Sequence, residues 1–239
     1  MSQTLDPKRI SIHISGQKRE TEAKPHTSLV DSLCNDTKHL LIYTDGSQTK
    51  GSLNGTGLVA IHAHHHRLEA RWNLGRYVEV YDTELFGILQ GTSYARKWTT
   101  DPNNTGANTI WIFVNNQAAI HRCTTPRPTA GQHFTTQIIS NLHHILQNRD
   151  DIQVNIRWVP GHTEVIGNET ADKCAKSAAE LPNRVSMLPH PSHTSSDRPS
   201  RWALGSGNTC GRLQTEDRNT AALPGSNHYG DPPGDQSSS

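Results

Sequence analysis

His39-Leu40-Leu41-Ile42-Tyr43-Thr44-Asp45-Gly46-Ser47 sets a compact apolar run directly against an acid, a glycine and a serine. The run reads as a strand and the Asp-Gly-Ser end as a turn signal. Downstream, Gly55-Thr56-Gly57-Leu58-Val59-Ala60-Ile61-His62 reads as a second strand and Leu68 to Leu74 as a third, after short polar connections. Such spacing suits an antiparallel meander. The apolar period then changes. Asp82 can cap a helix from Thr83 to about Trp98, with Leu85, Ile88, Leu89 and Ala95 as its core stripe. Thr109-Ile110-Trp111-Ile112-Phe113-Val114 is nearly all apolar, as strands buried on both faces are. A short helix at Gln117-Ala118-Ala119-Ile120 and a longer one over 131–148 follow, the latter with Phe134, Ile138, Ile139, Leu142, Ile145 and Leu146 in register. Alternation through Ile152, Val154, Ile156 and Trp158 predicts a fifth strand, and a last helix is expected from about Asn168 to Glu180. The order, three strands, helix, strand, helices, strand, helix, gives an α/β fold with helices flanking a mixed sheet.

Composition limits how far that domain extends. Of 239 residues 32% are hydrophobic, so one core does not fill the whole length. Residues 182–239 hold 7 Pro, 6 Gly and 10 Ser and read as a disordered Pro/Ser/Gly-rich tail. Residues 1–37 read as a mostly irregular N-terminal connector, in which only Ile10-Ser11-Ile12-His13-Ile14 alternates like a strand. The domain itself is placed at 38–181. No run of 18 apolar residues exists, so no membrane partner is expected, and Met1 to Glu20 contains no secretory apolar region. Cys34, Cys123, Cys174 and Cys210 lack C-x-x-C spacing, which argues against a zinc ribbon or a disulfide framework and for an intracellular, reducing compartment. The formal net charge of +1 advertises no polyanion partner, so any nucleic acid must be held by local groups.

Three acids fall where chemistry is commonly found. Asp45 ends the first strand, Glu84 lies in the first turn of the first helix, and Asp172 lies in the first turn of the last. If the first and fourth strands are neighbours, these carboxylates converge, and converging carboxylates need a cation. Oxygen ligands select Mg²⁺ or Mn²⁺, and two such ions can activate water and stabilise a leaving oxygen. A plainer reading stands beside this one: acids in first turns answer the helix dipole, and Asp-Gly forms turns.

Five blocks, taken together, favour the chemistry. Tyr43-Thr44-Asp45-Gly46-Ser47, Asp82-Thr83-Glu84-Leu85, Asn115-Asn116-Gln117-Ala118-Ala119-Ile120, Trp158-Val159-Pro160-Gly161-His162 and Gly167-Asn168-Glu169-Thr170-Ala171-Asp172 resemble, in order, the signature blocks of the ribonuclease H family. The resemblance spans Lys38 to Glu180 and looks closest to ribonuclease H domains of fungal non-LTR retrotransposon polyproteins. It implies a five-stranded mixed sheet of order 3-2-1-4-5, two Mg²⁺ ions with Mn²⁺ as a substitute, and an RNA–DNA hybrid whose RNA strand is hydrolysed. It also implies former fusion to a reverse transcriptase domain, and a monomer is expected. By the same resemblance Asp45 bridges both metals, Glu84 binds one and Asp172 the other, and His162 assists proton movement or product release. A histidine suits that task near neutral pH. Gly46, Ser47 and Gln117 are the matching substrate contacts, at 2′-hydroxyls of an A-form-like minor groove.

One position departs from the family. Where its remaining carboxylate stands, this chain has Asn115. The side chain is nearly isosteric, but it offers one neutral oxygen in place of a charged pair. Cleavage is therefore expected to be strongly reduced or absent while metal-assisted hybrid binding survives, and Asp82 should point away from the site. The alternative is a catalytically inactive hybrid-binding domain from a decayed element. A different nuclease or transposase on the same sheet would also cluster acids, but the Gly-Asn-Glu-x-Ala-Asp block argues against it. Residues 38–181 contain 13 Lys and Arg against 12 Asp and Glu, so modest, salt-sensitive hybrid affinity is expected. His62, His64 and His66 would share one strand face and read as a solvated strand end, with weak metal binding as the other possibility. Cys174, Trp111 and Trp158 read as core.

Overall fold

The computed structural model describes residues 6–181 apart from 52, 105, 125–130 and 164. Strand β1 (Ile10–His13) and helix α1 (Arg19–Cys34) precede β2 (His39–Gln48), β3 (Asn54–His62) and β4 (His65–Gly75). Helix α2 (Val80–Thr100), β5 (Thr109–Val114), α3 (Gln117–Thr124), α4 (Gln132–Asn148), β6 (Gln153–Trp158) and α5 (Ile166–Ala179) complete the described chain. The six strands form one mixed sheet in the order β1-β6-β5-β2-β3-β4. The meander β2-β3-β4 is antiparallel, whereas β5 runs parallel to β2 and β6 parallel to β5.

The expected five-strand order is therefore present, with one strand more at the β6 edge. Ile10 to His13 pair parallel with Val154 to Arg157. A mostly irregular connector does not hold for this part of the chain, which carries a strand and a 16-residue helix. Parallel pairing with a strand some 140 residues away leaves no local signature, which is why the alternation at 10–14 was the sole hint. The disordered tail predicted for 182–239, including Cys210, lies outside the described residues. Cys34, Cys123 and Cys174 form no disulfides, and among the described residues no helix is long and apolar enough to cross a membrane.

The near-continuous apolar runs follow from burial on both faces. Leu40 and Ile42 join Ile110 and Ile112 under α2 and α4, whereas Leu41, Tyr43 and Phe113 join Val165 and Ala171 of the α5 side. Helix α1 completes that second layer with Leu33 and Cys34. Its His26 is 1% exposed, with its ring 4.8 Å from that of Phe113. Burial pulls the His26 pKa down to about 4, so the imidazole is neutral in this core.

Four boundaries differ from the sequence reading. Strand β2 runs on to Gln48, so Asp45, Gly46 and Ser47 are paired strand residues opposite Gly57, Thr56 and Gly55 and form no turn. Helix α2 starts at Val80 with Glu79 as its N-cap, which puts Asp82 in its first turn and Glu84 beyond it. Helix α5 starts at Ile166, so Asp172 lies in its second turn. The His-rich stretch is a hairpin turn, with Ala63 and His64 at positive φ between β3 and β4, so His62, His64 and His66 do not share a strand face. His62 instead bonds Thr37 O at 2.7 Å, and His66 bonds Glu69 at 3.0 Å.

Helix α5 sits on β3 only because that strand has glycines. A methyl group at Gly57 would lie 2.0 Å from Ala171 O, next to Asp172. Gly57→Ala is thus expected to lift α5 and to cost about 1–3 kcal/mol, the usual scale of overpacking. Urea unfolding checks this, and a variant as stable as the parent would contradict the close seat of α5.

Candidate active site

The β-sheet topology concentrates chemistry at one end. Strands β2, β5 and β6 are mutually parallel, so Asp45, Asn115 and the Pro160-Gly161-His162 loop all lie at the same end of the sheet. Helix α2 brings Glu84 there and α5 brings Asp172. Together these residues line a groove of about 690 Å³, with Gly46, Ser47 and Gln117 also on its wall. All eight expected site residues are therefore gathered in one cavity. Asp82, by contrast, is not among its lining residues.

Gly46 permits the approach of α2. A methyl group there would lie 2.2 Å from Thr83 Oγ1 and 3.0 Å from the Glu84 N. Glu84 is consequently almost enclosed at 5% exposure, and Asp45 is 3% exposed. Burial is the main reason that the Asp45 carboxyl is pushed up to about 7. The Asn115 hydrogen bond opposes this and the charge of Asp172 reinforces it. Burial also drives Glu84 well above the usual carboxylate range, with Asp45 adding repulsion. The polar Gly46 backbone and Asn116 side chain pull the other way.

Asn115 donates from Nδ2 to Asp45 Oδ1 at 2.8 Å. The backbone carbonyl of Asn115 accepts the Trp158 indole N–H at 3.1 Å, so β6 fixes the residue in place. A neutral amide donor thereby solvates Asp45 from inside the cluster. Asp172 is similarly occupied, accepting from Lys176 Nζ at 2.6 Å one helical turn on. Two buried oxygens nevertheless have no hydrogen-bond partner, Glu84 Oε2 and Asn115 Oδ1. Unpartnered oxygens beside a buried carboxylate suit a hard divalent cation. Among the described residues, however, no three His, Cys, Asp or Glu side chains are grouped closely enough to hold a metal by themselves.

His162 stands exposed at the groove with φ of 58°, in the left-handed region. Gln117 donates from Nε2 to Ser15 O at 3.0 Å, which holds its side chain in one place. Asn116, Trp158, Lys176 and residues 17–19 also line the groove and were not foreseen as site residues. Lys176 had a readable signal, its spacing of four from Asp172; residues 17–19 had none.

A sequence profile of the RNase H family matches residues 37–180, more than half of the chain. The chain belongs to the RNase H family. Its RNase H domain resembles, at 20% identity and a TM-score of 0.43, the crystal structure of RNase H1 from the halophilic archaeon Halobacterium salinarum, over 59% of this chain and 96% of that one. It also resembles the N-terminal RNase H domain of a Mycobacterium tuberculosis protein solved as a maltose-binding protein fusion, at 19% identity and a TM-score of 0.44, over 59% and 99% of the two chains. No curated protein matches the sequence significantly.

Proposed function

We propose that this RNase H domain is an endonuclease for the RNA strand of RNA–DNA hybrids, with turnover held down by Asn115. The observation that carries the reading is the convergence of Asp45, Glu84, Asn115 and Asp172 on one groove within a family-matched domain. Asp45, Glu84 and the free oxygen of Asn115 would hold one divalent cation, Mg²⁺ or Mn²⁺, and Asp45 with Asp172 a second. Such ions supply an activated water and charge stabilisation at the leaving oxygen. Lys176 engages Asp172 Oδ2, so Oδ1 is the oxygen Asp172 would offer first. The exposed His162 can carry a proton between the groove and solvent. Gly46, Ser47 and Gln117 would meet ribose 2′-hydroxyls, which separate RNA from DNA.

The motif blocks support descent from a non-LTR retrotransposon, where such a domain follows a reverse transcriptase. The second reading, a hybrid-binding domain without catalysis, is favoured by the same Asn115 and by the Lys176–Asp172 pair. A 5′-labelled RNA in an RNA–DNA hybrid, incubated with Mg²⁺ or Mn²⁺, decides between them. Slow cleavage that Asp45→Asn abolishes is expected. Binding without any product, in the native chain and in Asn115→Asp alike, would overturn the nuclease reading.

A further inference from the structure

We infer that residues 17–19, outside the family-matched region, form a phosphate-gripping wall of the groove in which Lys18 and Arg19 hold the backbone of the hybrid. The inference rests on the nuclease reading for the identity of its ligand. Its structural basis is topological. Strand β1 is parallel to β6, so the chain leaving His13 emerges at the end of the sheet that carries Asp45, Asn115 and His162. Gln17, Lys18 and Arg19 then line the same groove as the three carboxylates.

The wall is anchored at both ends. On one side lies the β1–β6 ladder, and on the other α1, held by buried His26, Leu33 and Cys34. Between them the Gln17 N–H bonds Ser15 Oγ at 3.0 Å, the Ser15 hydroxyl in turn bonds Glu22, and Ser15 O receives the Gln117 amide. The anchored segment brings positive charge to a site that otherwise lacks it. Three Lys or Arg side chains line the groove, and Lys176 is already paired with Asp172. Lys18 and Arg19 are exposed and have no ion pair among the described residues. Of the neighbouring acids, Glu22 is engaged by Ser15 and lies 3.9 Å from Arg157, and Glu20 does not line the groove. The family-matched part is nearly neutral, so two free cations beside a carboxylate cluster are suited to a phosphodiester chain passing over it. Phosphate contacts of this kind supply affinity and register while carrying no sequence preference.

The test is binding of the full chain to a fluorescent RNA–DNA hybrid of about 20 base pairs in EDTA, over a series of NaCl concentrations. Lys18→Ala with Arg19→Ala is expected to weaken binding at low salt and to flatten the dependence of log Kd on log salt by about 2, roughly 1 per lost phosphate contact. Lys38→Ala with Lys97→Ala, removing two exposed cations away from the groove, should leave that slope unchanged. Charge reversal at 18 and 19 should weaken binding further, and thermal melting should match the parent because both side chains are exposed. A slope equal to the parent's would overturn the gripping wall, and so would equal losses in the control pair. RNA-strand cleavage by Asn115→Asp with residues 18 and 19 intact reports on the nuclease reading separately. A parent chain that binds no hybrid in EDTA overturns the gripping wall alone.

Discussion

Asn115→Asp is expected to raise the rate of RNA-strand cleavage by about 10²–10³, the scale that one charge-stabilising group at a reacting centre commands. The structure explains both the size and the accompanying cost. Asn115 now donates a hydrogen bond of 2.8 Å to Asp45 Oδ1, so an aspartate there would press a second carboxylate against the first. Like charges at that separation cannot both ionise without a cation. The variant should therefore be less stable than the parent without divalent metal, by about 1–3 kcal/mol for the lost bond and the buried acceptor left behind. Added Mg²⁺ or Mn²⁺ should restore the difference, since a ligand that binds only the folded state stabilises it. Thermal melting with and without metal, alongside cleavage rates, checks both halves. An Asn115→Asp chain that melts like the parent with no response to metal would contradict the account of Asn115 as an internal substitute for positive charge.

Asp45→Asn should do the reverse, trading activity for stability. Burial raises the Asp45 pKa from 3.8 to about 7 in the folded chain. Between those values the folded state keeps a proton that the unfolded state has released, so stability falls as pH rises from about 4 through about 7. Glu84, raised by the same burial, acts in the same direction. Removing the Asp45 charge should thus raise the melting temperature at pH 8 by about 5–10 °C, with little change at pH 4. Cleavage should disappear. Urea or thermal unfolding of parent and variant at pH 4, 6 and 8 measures this directly, and parallel curves for the two proteins would show that Asp45 is not a buried, strained charge.

These effects share one origin, visible in what could and could not be read from the residues alone. The five central strands and the helices α2 to α5 were legible because their apolar periods are local properties: Leu85-Ile88-Leu89 every three or four residues, Val154-Ile156-Trp158 every two. The residues that converge on the groove were legible through short blocks around Asp45, Glu84, Asn115 and Asp172. Boundaries were less so. Asp45-Gly46-Ser47 carries turn chemistry, but pairing with Gly55, Thr56 and Gly57 overrides it. The Asn115–Asp45 bond has no signal in the sequence, whereas the Lys176–Asp172 pair shows as a spacing of four, and each changes the electrostatics of the groove. The N-terminal wall was hidden altogether, because β1 gains its partner only when Val154 to Arg157 are already in place.

On the proposed reading residues 17–19 would grip the hybrid while Asn115 slows its hydrolysis, so the site would hold a hybrid better than it cuts it. The most direct measurement uses Asn115→Asp with Mg²⁺ and one RNA–DNA hybrid, labelled in separate reactions on the RNA and on the DNA strand. The account predicts products from the RNA strand alone, and none from an all-DNA duplex of the same sequence. Cutting of the DNA strand, or equal cutting of the all-DNA duplex, would contradict it.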